Sequence, residues 1–249
     1  MKNSLFVSAV VVMGLTSSVS VNVLAAPAKP SSSTLSSALE VLKLPTENRR
    51  MVLSNGGEKF YQNFISVAFN ESQPMSVRWR ALMAAAEVHG DRSTPDLLKA
   101  GKHNQWYMRN AALVALTEVN PSQGEKLAQS LLKDKALVVR SAAVEALAKS
   151  TTPAVRDLLW DELNQKYNFK GDHSLWIRHQ IVETLAKKPL NHEAKIFAGL
   201  LSDKDQRLHM PAVAGLEKLT GVKLGGDSTK SAALVGMWKD YVKKEKIEL

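Results

Sequence analysis

The feature that most constrains this chain is a helix-length phrase, written around an arginine, that recurs at a near-constant interval. Val77-Arg78 is followed by Ala81, Leu82, Ala84 and Ala85, and Met108-Arg109 by Ala112, Leu113, Ala115 and Leu116. Val139-Arg140 is followed by Ala143, Val144, Ala146 and Leu147, and Ile177-Arg178 by Ile181, Val182, Thr184 and Leu185. A degenerate fifth copy has Leu208-His209 followed by Ala212, Val213, Gly215 and Leu216. The anchors at 78, 109, 140, 178 and 209 are 31, 31, 38 and 31 residues apart. A period of this length is the mark of a stacked array. Apolar residues at −1, +3, +4 and +7 from each anchor share one helical face. Small residues at +3 and +6 let neighbouring helices approach closely. The one long step predicts a seven-residue insertion around Asn164 to Lys170.

A second helical segment lies between successive anchors. Thr94-Pro95 and Thr152-Pro153 each set a hydroxyl before a proline, a pattern that starts helices. The sets Leu97-Leu98, Leu127-Leu131-Leu132, Leu158-Leu159-Leu163 and Ile196-Leu200-Leu201 then follow at helical spacing. Each unit is a helix pair whose apolar face is covered only when neighbours stack on it. Glu58 to Phe69, with Phe60, Tyr61, Phe64, Ile65 and Phe69, reads as the outer helix of the first repeat. Residues 38–53 are expected to form an N-terminal cap.

Residues 1–25 have the form of a cleaved export signal. Lys2 supplies the positive start, Leu5 to Leu15 an apolar core, and Val23-Leu24-Ala25 the small residues of a cleavage site. Ser17, Ser18, Ser20 and Asn22 interrupt the apolar run, which leaves it short of a membrane span of ~20 residues. Ala26 to Ser37, rich in Pro, Ser and Ala, is expected to be a disordered leader. Residues 38–249 then make one domain, and the expected location is the periplasm, with release from the cell as the other outcome of export. The chain has no cysteine, which excludes disulfides, thiolate metal sites, a Cys nucleophile and a lipid-modified cysteine. Its net charge of +9 loses only Lys2 on cleavage. Export argues against nucleic acid as the partner and leaves anionic envelope surfaces or an acidic protein as charge-based candidates.

The segments Arg109-Asn110-Ala111-Ala112-Leu113 and Asp134 to Arg140, with Ser141-Ala142-Ala143-Val144-Glu145-Ala146-Leu147 after it, resemble HEAT repeats of the short bacterial type also found in phycobilisome lyases. The resemblance covers about residues 58–219 and implies an all-α, right-handed α-solenoid of about five HEAT-like helix pairs. Helical caps would close both ends, the C-terminal one over about residues 220–249. Leu219-Thr220-Gly221, Trp238 and Tyr241 resemble the tails of such proteins, where the chain folds back over the last repeat. In the family an aspartate six residues before the arginine forms a hydrogen-bonded ladder with neighbouring repeats. Asp134 before Arg140 and Asp172 before Arg178 match, whereas Asp203 precedes His209. Ser72 and His103 stand at that position before Arg78 and Arg109, so the ladder is expected to be incomplete there. The resemblance makes these arginines structural ties; read without it, they could equally be an anion-binding stripe.

Nothing in the sequence points to catalysis, a cofactor or a metal. The histidines form no His-Glu-x-x-His motif, and His192-Glu193 is an isolated pair at the start of a helix. No Gly-x-Ser-x-Gly elbow or phosphate loop is present, and Leu224-Gly225-Gly226-Asp227 reads as a turn. The aromatics carry more information. Positions +1 and +5 of the anchor helices should face a concave groove, which presents Trp79, Met83, Asn110, Ser141, Glu145, His179 and Glu183. Because they point away from the apolar face, these positions should be replaceable without loss of the fold. Trp106, Tyr107 and Trp176 precede their anchors, at the turns along one edge. Exposed Trp and Tyr beside polar groups mark binding surfaces. Trp160 and Trp238 belong in the core. The expected function is a periplasmic protein–protein interaction scaffold, monomeric by itself, that binds a protein or peptide on its concave face. The alternatives are a bilin lyase or isomerase, from the resemblance, and a binder of anionic cell-wall polymer or lipid, from the charge.

Overall fold

The computed structural model describes residues 32–245 except 149, 151 and 227, together with residue 247. The expected signal, residues 1–25, lies outside the described residues. So does the leader up to residue 31, but the stretch expected to be disordered up to Ser37 is helical from Ser32. That helix, α1 (Ser32–Lys43), and α2 (Thr46–Ser54) form the N-terminal cap. Ala38, Val41 and Leu42 of α1 are buried, which is why the helix holds beyond the composition-based boundary.

Five helix pairs follow: α3 (Tyr61–Phe69) with α4 (Met75–His89), α5 (Thr94–Ala100) with α6 (Trp106–Val119), α7 (Pro121–Leu131) with α8 (Leu137–Leu147), α9 (Pro153–Leu163) with α10 (Trp176–Ala186), and α11 (Ala194–Leu200) with α12 (His209–Thr220). The second member of each pair carries the anchor. Anchor helices pack in succession, α4 on α6, α6 on α8, α8 on α10 and α10 on α12, and so form one continuous layer. Outer helices pack on this layer. An anchor helix is thus covered by its own outer helix and by two neighbouring anchors, and Ala81, Ala85, Ala112 and Ala143 are fully buried at those contacts. The array is an all-α solenoid with a single two-stranded hairpin among the described residues.

That hairpin is the insertion. After α9 the chain makes a 3₁₀ turn at Lys166–Asn168 and strands β1 (Phe169–Lys170) and β2 (His173–Ser174), paired antiparallel around Gly171 at φ +59. At the other end α13 (Ser231–Lys244) packs on α12 and buries Trp238 completely. Gly221, at φ +70, ends α12 in the left-handed conformation and turns the chain toward this cap. No helix among the described residues is long and apolar enough to cross a membrane.

The helix starts differ from expectation. Neither Thr94 nor Thr152 caps with its side chain; Thr94 is the first residue of α5, and its hydroxyl donates to the Asp91 carbonyl. The side-chain cap is Asn120, whose Oδ1 accepts from the Gln123 amide ahead of Pro121. Just after it, Gly124 lets α7 cross α6 at backbone contact. A β-carbon there would meet Thr117 Cα at 2.8 Å and its N at 2.9 Å. Gly124→Ala should therefore lower stability by about 1–3 kcal/mol, because backbone cannot yield as a side chain does, although alanine is the better helix former. Thermal unfolding measures this, and an unchanged midpoint would mean that α6 and α7 separate freely.

Candidate functional site

Two sets of side chains could carry function: the anchor arginines and the face of the anchor-helix layer. Arg78, Arg109, Arg140 and Arg178 are all buried, and each reaches forward into the next repeat. Arg109 grips Asp134 with two bonds, Nε to Oδ2 at 2.5 Å and Nη2 to Oδ1 at 2.7 Å, while Nη1 donates to the carbonyls of His103 and Asn104. Arg178 reaches Asp203 in the same way, Nη2 to Oδ2 at 2.8 Å, over the same separation of 25 residues. The rule is therefore an arginine bonded to the aspartate 25 residues ahead. The aspartate six residues before an arginine serves the previous arginine instead.

This corrects two expected pairings. Asp134 gives Arg140 only its backbone carbonyl, at 2.8 Å. The insertion puts Asp172 at the exposed hairpin tip, where it lines a cleft with Arg178, whose side-chain partners are Asp203, Asn164 and Ser174 instead. Arg140 bonds instead to Asn168 Oδ1 at 3.1 Å and the Tyr167 carbonyl at 2.8 Å, so the insertion fills its own rung with neutral acceptors. Before Arg109, His103 stands where the aspartate would. Arg78 Nη2 lies 3.3 Å from His103 Nε2, and the Gln105 amide lies 3.0 Å from Nδ1. A neutral imidazole has one acceptor nitrogen for these two donors. The shorter contact takes it, and Arg78 is held by the Ala68 carbonyl at 2.8 Å and the Tyr107 hydroxyl at 2.7 Å. Burial, followed by the Arg78 charge, pushes His103 below its ordinary value and keeps it neutral.

Burial alone would raise the Asp134 carboxyl, but bonds from Arg109 and the Ala136 amide outweigh it and hold the group below the ordinary range. Asp203 is held down in the same way by Arg178 and the Asp205 amide. These guanidiniums are occupied by protein partners, as a tie requires and an anion-binding stripe does not. A cleft of about 570 Å³ beside the hairpin has the same character. Its Arg178 is bonded to Asp203, Asn164 and Ser174, and its Arg207 to Asp205 and the Ser174 carbonyl. No group of three or more metal-ligating side chains occurs among the described residues.

Sequence reasoning missed one buried tie. Arg156 of α9 and Glu193, just before α11, are bonded at 2.6 and 2.8 Å with both side chains almost fully buried. The two residues belong to different repeats and do not recur, so no period exposes them.

The anchor-helix face is the other candidate. Residues at −3, +1 and +5 stand four apart and so share one side of a helix. Trp106, Asn110 and Val114 form such a row on α6, and Met75, Trp79 and Met83 on α4. The expected separation into a groove set and an edge set is thereby removed. Trp79 and Asn110 from the first, with Trp106 and Tyr107 from the second, line a single cleft of about 380 Å³ together with Met75 and Arg80. A smaller cleft of about 170 Å³ lies between α6 and α8, walled by Val114, Thr117, Ala142 and Ala146 with Glu118 and Glu145. Ser141 and His179 are half-buried farther along, and the exposed Glu183 lies 3.9 Å from His179. Trp106 and Trp176 are 40% and 46% exposed, which leaves their rings free to contact a partner. Trp79, Met83 and Tyr107 are half-buried and pack against the core, so Trp79 is not a position that can be emptied without loss. Trp238 is in the core as expected; Trp160 is only half-buried, edge-on to Phe197 and bonded to Glu193.

A search for curated relatives returns no match to the chain. Residues 94–169, spanning α5 to β1, match the family model of HEAT repeats, and with the same arginine-anchored pairs stacked on both sides of that stretch, the protein is an all-α solenoid of HEAT-like repeats.

Proposed function

We propose that the protein is an exported interaction scaffold, working in the periplasm without catalysis of its own, that holds a partner protein or peptide on the anchor-helix face. HEAT repeats commonly mediate protein–protein contact, which supports the general role. The observation that carries this reading is an exposed apolar side chain among the first two residues of every anchor helix: Met75, Trp106, Val138, Trp176 and Met210. Large exposed apolar groups that recur from repeat to repeat beside polar residues are characteristic of contact surfaces. Export rests on the charged start, apolar core and cleavage pattern of residues 1–25. Mass spectrometry of the protein from its native cell, reading whether the N-terminus begins at Ala26, tests it.

Trp106→Ala with Trp176→Ala tests the face. Both rings are open to solvent, so the double variant should keep its unfolding free energy within about 1 kcal/mol. Affinity for a partner identified by crosslinking in the native periplasm should fall more than about tenfold, since Trp is a frequent hot spot. Equal binding by the double variant would move the site off this face. Recovery of no stoichiometric partner would remove the scaffold reading.

A further inference from the structure

We infer that the occupant of the anchor-helix face is a cationic amphipathic segment of a partner protein, with apolar side chains seated in the two clefts and Lys or Arg along its other side. This deepens the scaffold reading and rests on it. None of α4, α6, α8, α10 and α12 has an acidic residue in its first turn. Each has a glutamate in its last turn: Glu87, Glu118, Glu145, Glu183 and Glu217. A helix C-terminus carries partial negative charge, so an anion is disfavoured there and favoured at the other end. Glu47 and Asp96, in the first turns of α2 and α5, follow that preference; against it stand Glu40 at the end of α1, paired with Lys43 at 2.7 Å, and the exposed Asp161 at the end of α9. In α9 a last-turn glutamate, Glu162, is buried and bonded by the Tyr167 hydroxyl, which accounts for it.

The anchor-helix glutamates have no such account within the fold. Glu87, Glu118, Glu145 and Glu183 are exposed and Glu217 is half-buried. Among the described residues only Glu183 has an ion-pair partner, His179 at 3.9 Å, although the chain has 33 Lys and Arg against 24 Asp and Glu. Cations do stand near some of these ends, Lys218 beside Glu217 and the exposed Lys187 and Lys188 just after α10, but they form no ion pair with these glutamates among the described residues. Lys102, Lys133, Lys135, Lys170 and Lys204 are exposed in the segments that lead into the anchor helices, at the opposite ends from the glutamates. Glu118 and Glu145 wall the same cleft as Val114, Ala142 and Ala146, so apolar floor and unpaired carboxylates form one surface.

That juxtaposition selects among occupants. A wholly apolar segment would strip water from the carboxylates and give nothing back, which is costly for a charge. An anionic polymer would meet the glutamate row repulsively. A segment with apolar residues on one side and Lys or Arg on the other satisfies both halves, as amphipathic helices do in grooves.

The test uses the full mature chain and three labelled 18-residue helical peptides that share a leucine face and carry Lys, Glu or Ser on the other side. The mature chain's net charge, the +9 of the full sequence less Lys2, favours the Glu peptide, so charge attraction to the whole surface and to the face point in opposite directions. Binding read by fluorescence anisotropy should favour the Lys peptide over the Glu peptide by at least about tenfold. Glu118→Gln, Glu145→Gln and Glu183→Gln together should weaken the Lys peptide by about tenfold and flatten its salt dependence, while melting stays unchanged. Preference for the Glu peptide would overturn the inference. Equal binding of the Ser and Lys peptides, both lost in the Trp106→Ala, Trp176→Ala variant, would also overturn it while leaving the face as the binding site. A native partner that binds that double variant normally would remove the face itself. Retention on phosphatidylglycerol vesicles that the same double variant abolishes would replace the protein segment with a membrane.

Discussion

Replacing Arg156 by alanine is expected to lower stability by about 3–5 kcal/mol, the cost of leaving one member of a buried ion pair behind. For a chain of this size that is a fall of roughly 6–20 °C in melting temperature. The estimate follows from how completely the pair is enclosed. Glu193 is fully buried, and its two oxygens accept from Arg156 Nε and Nη2, from Trp160 Nε1 at 2.9 Å and from the Leu190 amide at 2.8 Å. Arg156 Nη2 also donates to the Leu185 carbonyl at the end of α10. The pair thus joins α9, the end of α10 and the start of α11, three elements of two successive repeats. Burial would push the Glu193 carboxyl up, but its donors, Arg156 foremost, hold it below the ordinary range, so it is charged at neutral pH. Without Arg156 that buried charge keeps the Trp160 indole and the Leu190 amide as donors but loses its counter-charge. Exchanging both residues, Arg156→Met with Glu193→Leu, should recover most of the loss, because a buried pair replaced by apolar groups of similar volume is often neutral. Equal destabilisation by the single and double variants would show that the damage is lost packing and not a stranded charge.

The parts of this fold that repeat were legible in the sequence, and the parts that occur once were not. The anchors at 78, 109, 140 and 178 announce themselves because each must present the same apolar face to the same kind of neighbour. The insertion was legible as a break in the period, and its hairpin sits at 169–174. Its effect was not legible: only three-dimensional placement puts Asn168 on Arg140 and Asp203, rather than Asp172, on Arg178. Spacing along the chain ties Asp134 to Arg140, whereas stacking ties it to Arg109, because a residue before an anchor helix faces back across the repeat boundary. Trp79 and Trp106 looked like members of two surfaces for a related reason. They lie on different helices, and only the packing of α4 on α6 brings them to one cleft. Asn120 escaped as a cap because Thr94 and Thr152 precede prolines in the same manner and carry the more familiar hydroxyl.

Arg109→Ala should be the most damaging change within the ladder, about 3–5 kcal/mol, and distinctly worse than Arg140→Ala. Both arginines are buried, but they leave different groups behind. Removing Arg109 strands the Asp134 carboxylate, whose side chain is only 6% exposed, with the Ala136 amide as its remaining bond. Removing Arg140 strands Asn168 Oδ1 and the carbonyls of Tyr167 and Asp134, all neutral acceptors. An unsatisfied neutral group costs about 1–3 kcal/mol, less than an uncompensated charge. Acid distinguishes the two variants further. Asp134 sits below its ordinary value of 3.8 in the folded protein, so the stability it contributes is complete above that value and is lost as the pH falls through the lower folded one. Arg109→Ala removes the main cause of that depression. The gap in melting temperature between this variant and the native protein should therefore narrow as the pH is lowered below about 4, where protonation weakens the native pair as well. Arg140→Ala, which strands no carboxylate, should keep a nearly constant gap over the same range. Parallel melting curves for Arg109→Ala and the native protein down to acid pH would mean that Asp134 draws its stabilisation from the backbone amide and not from the guanidinium.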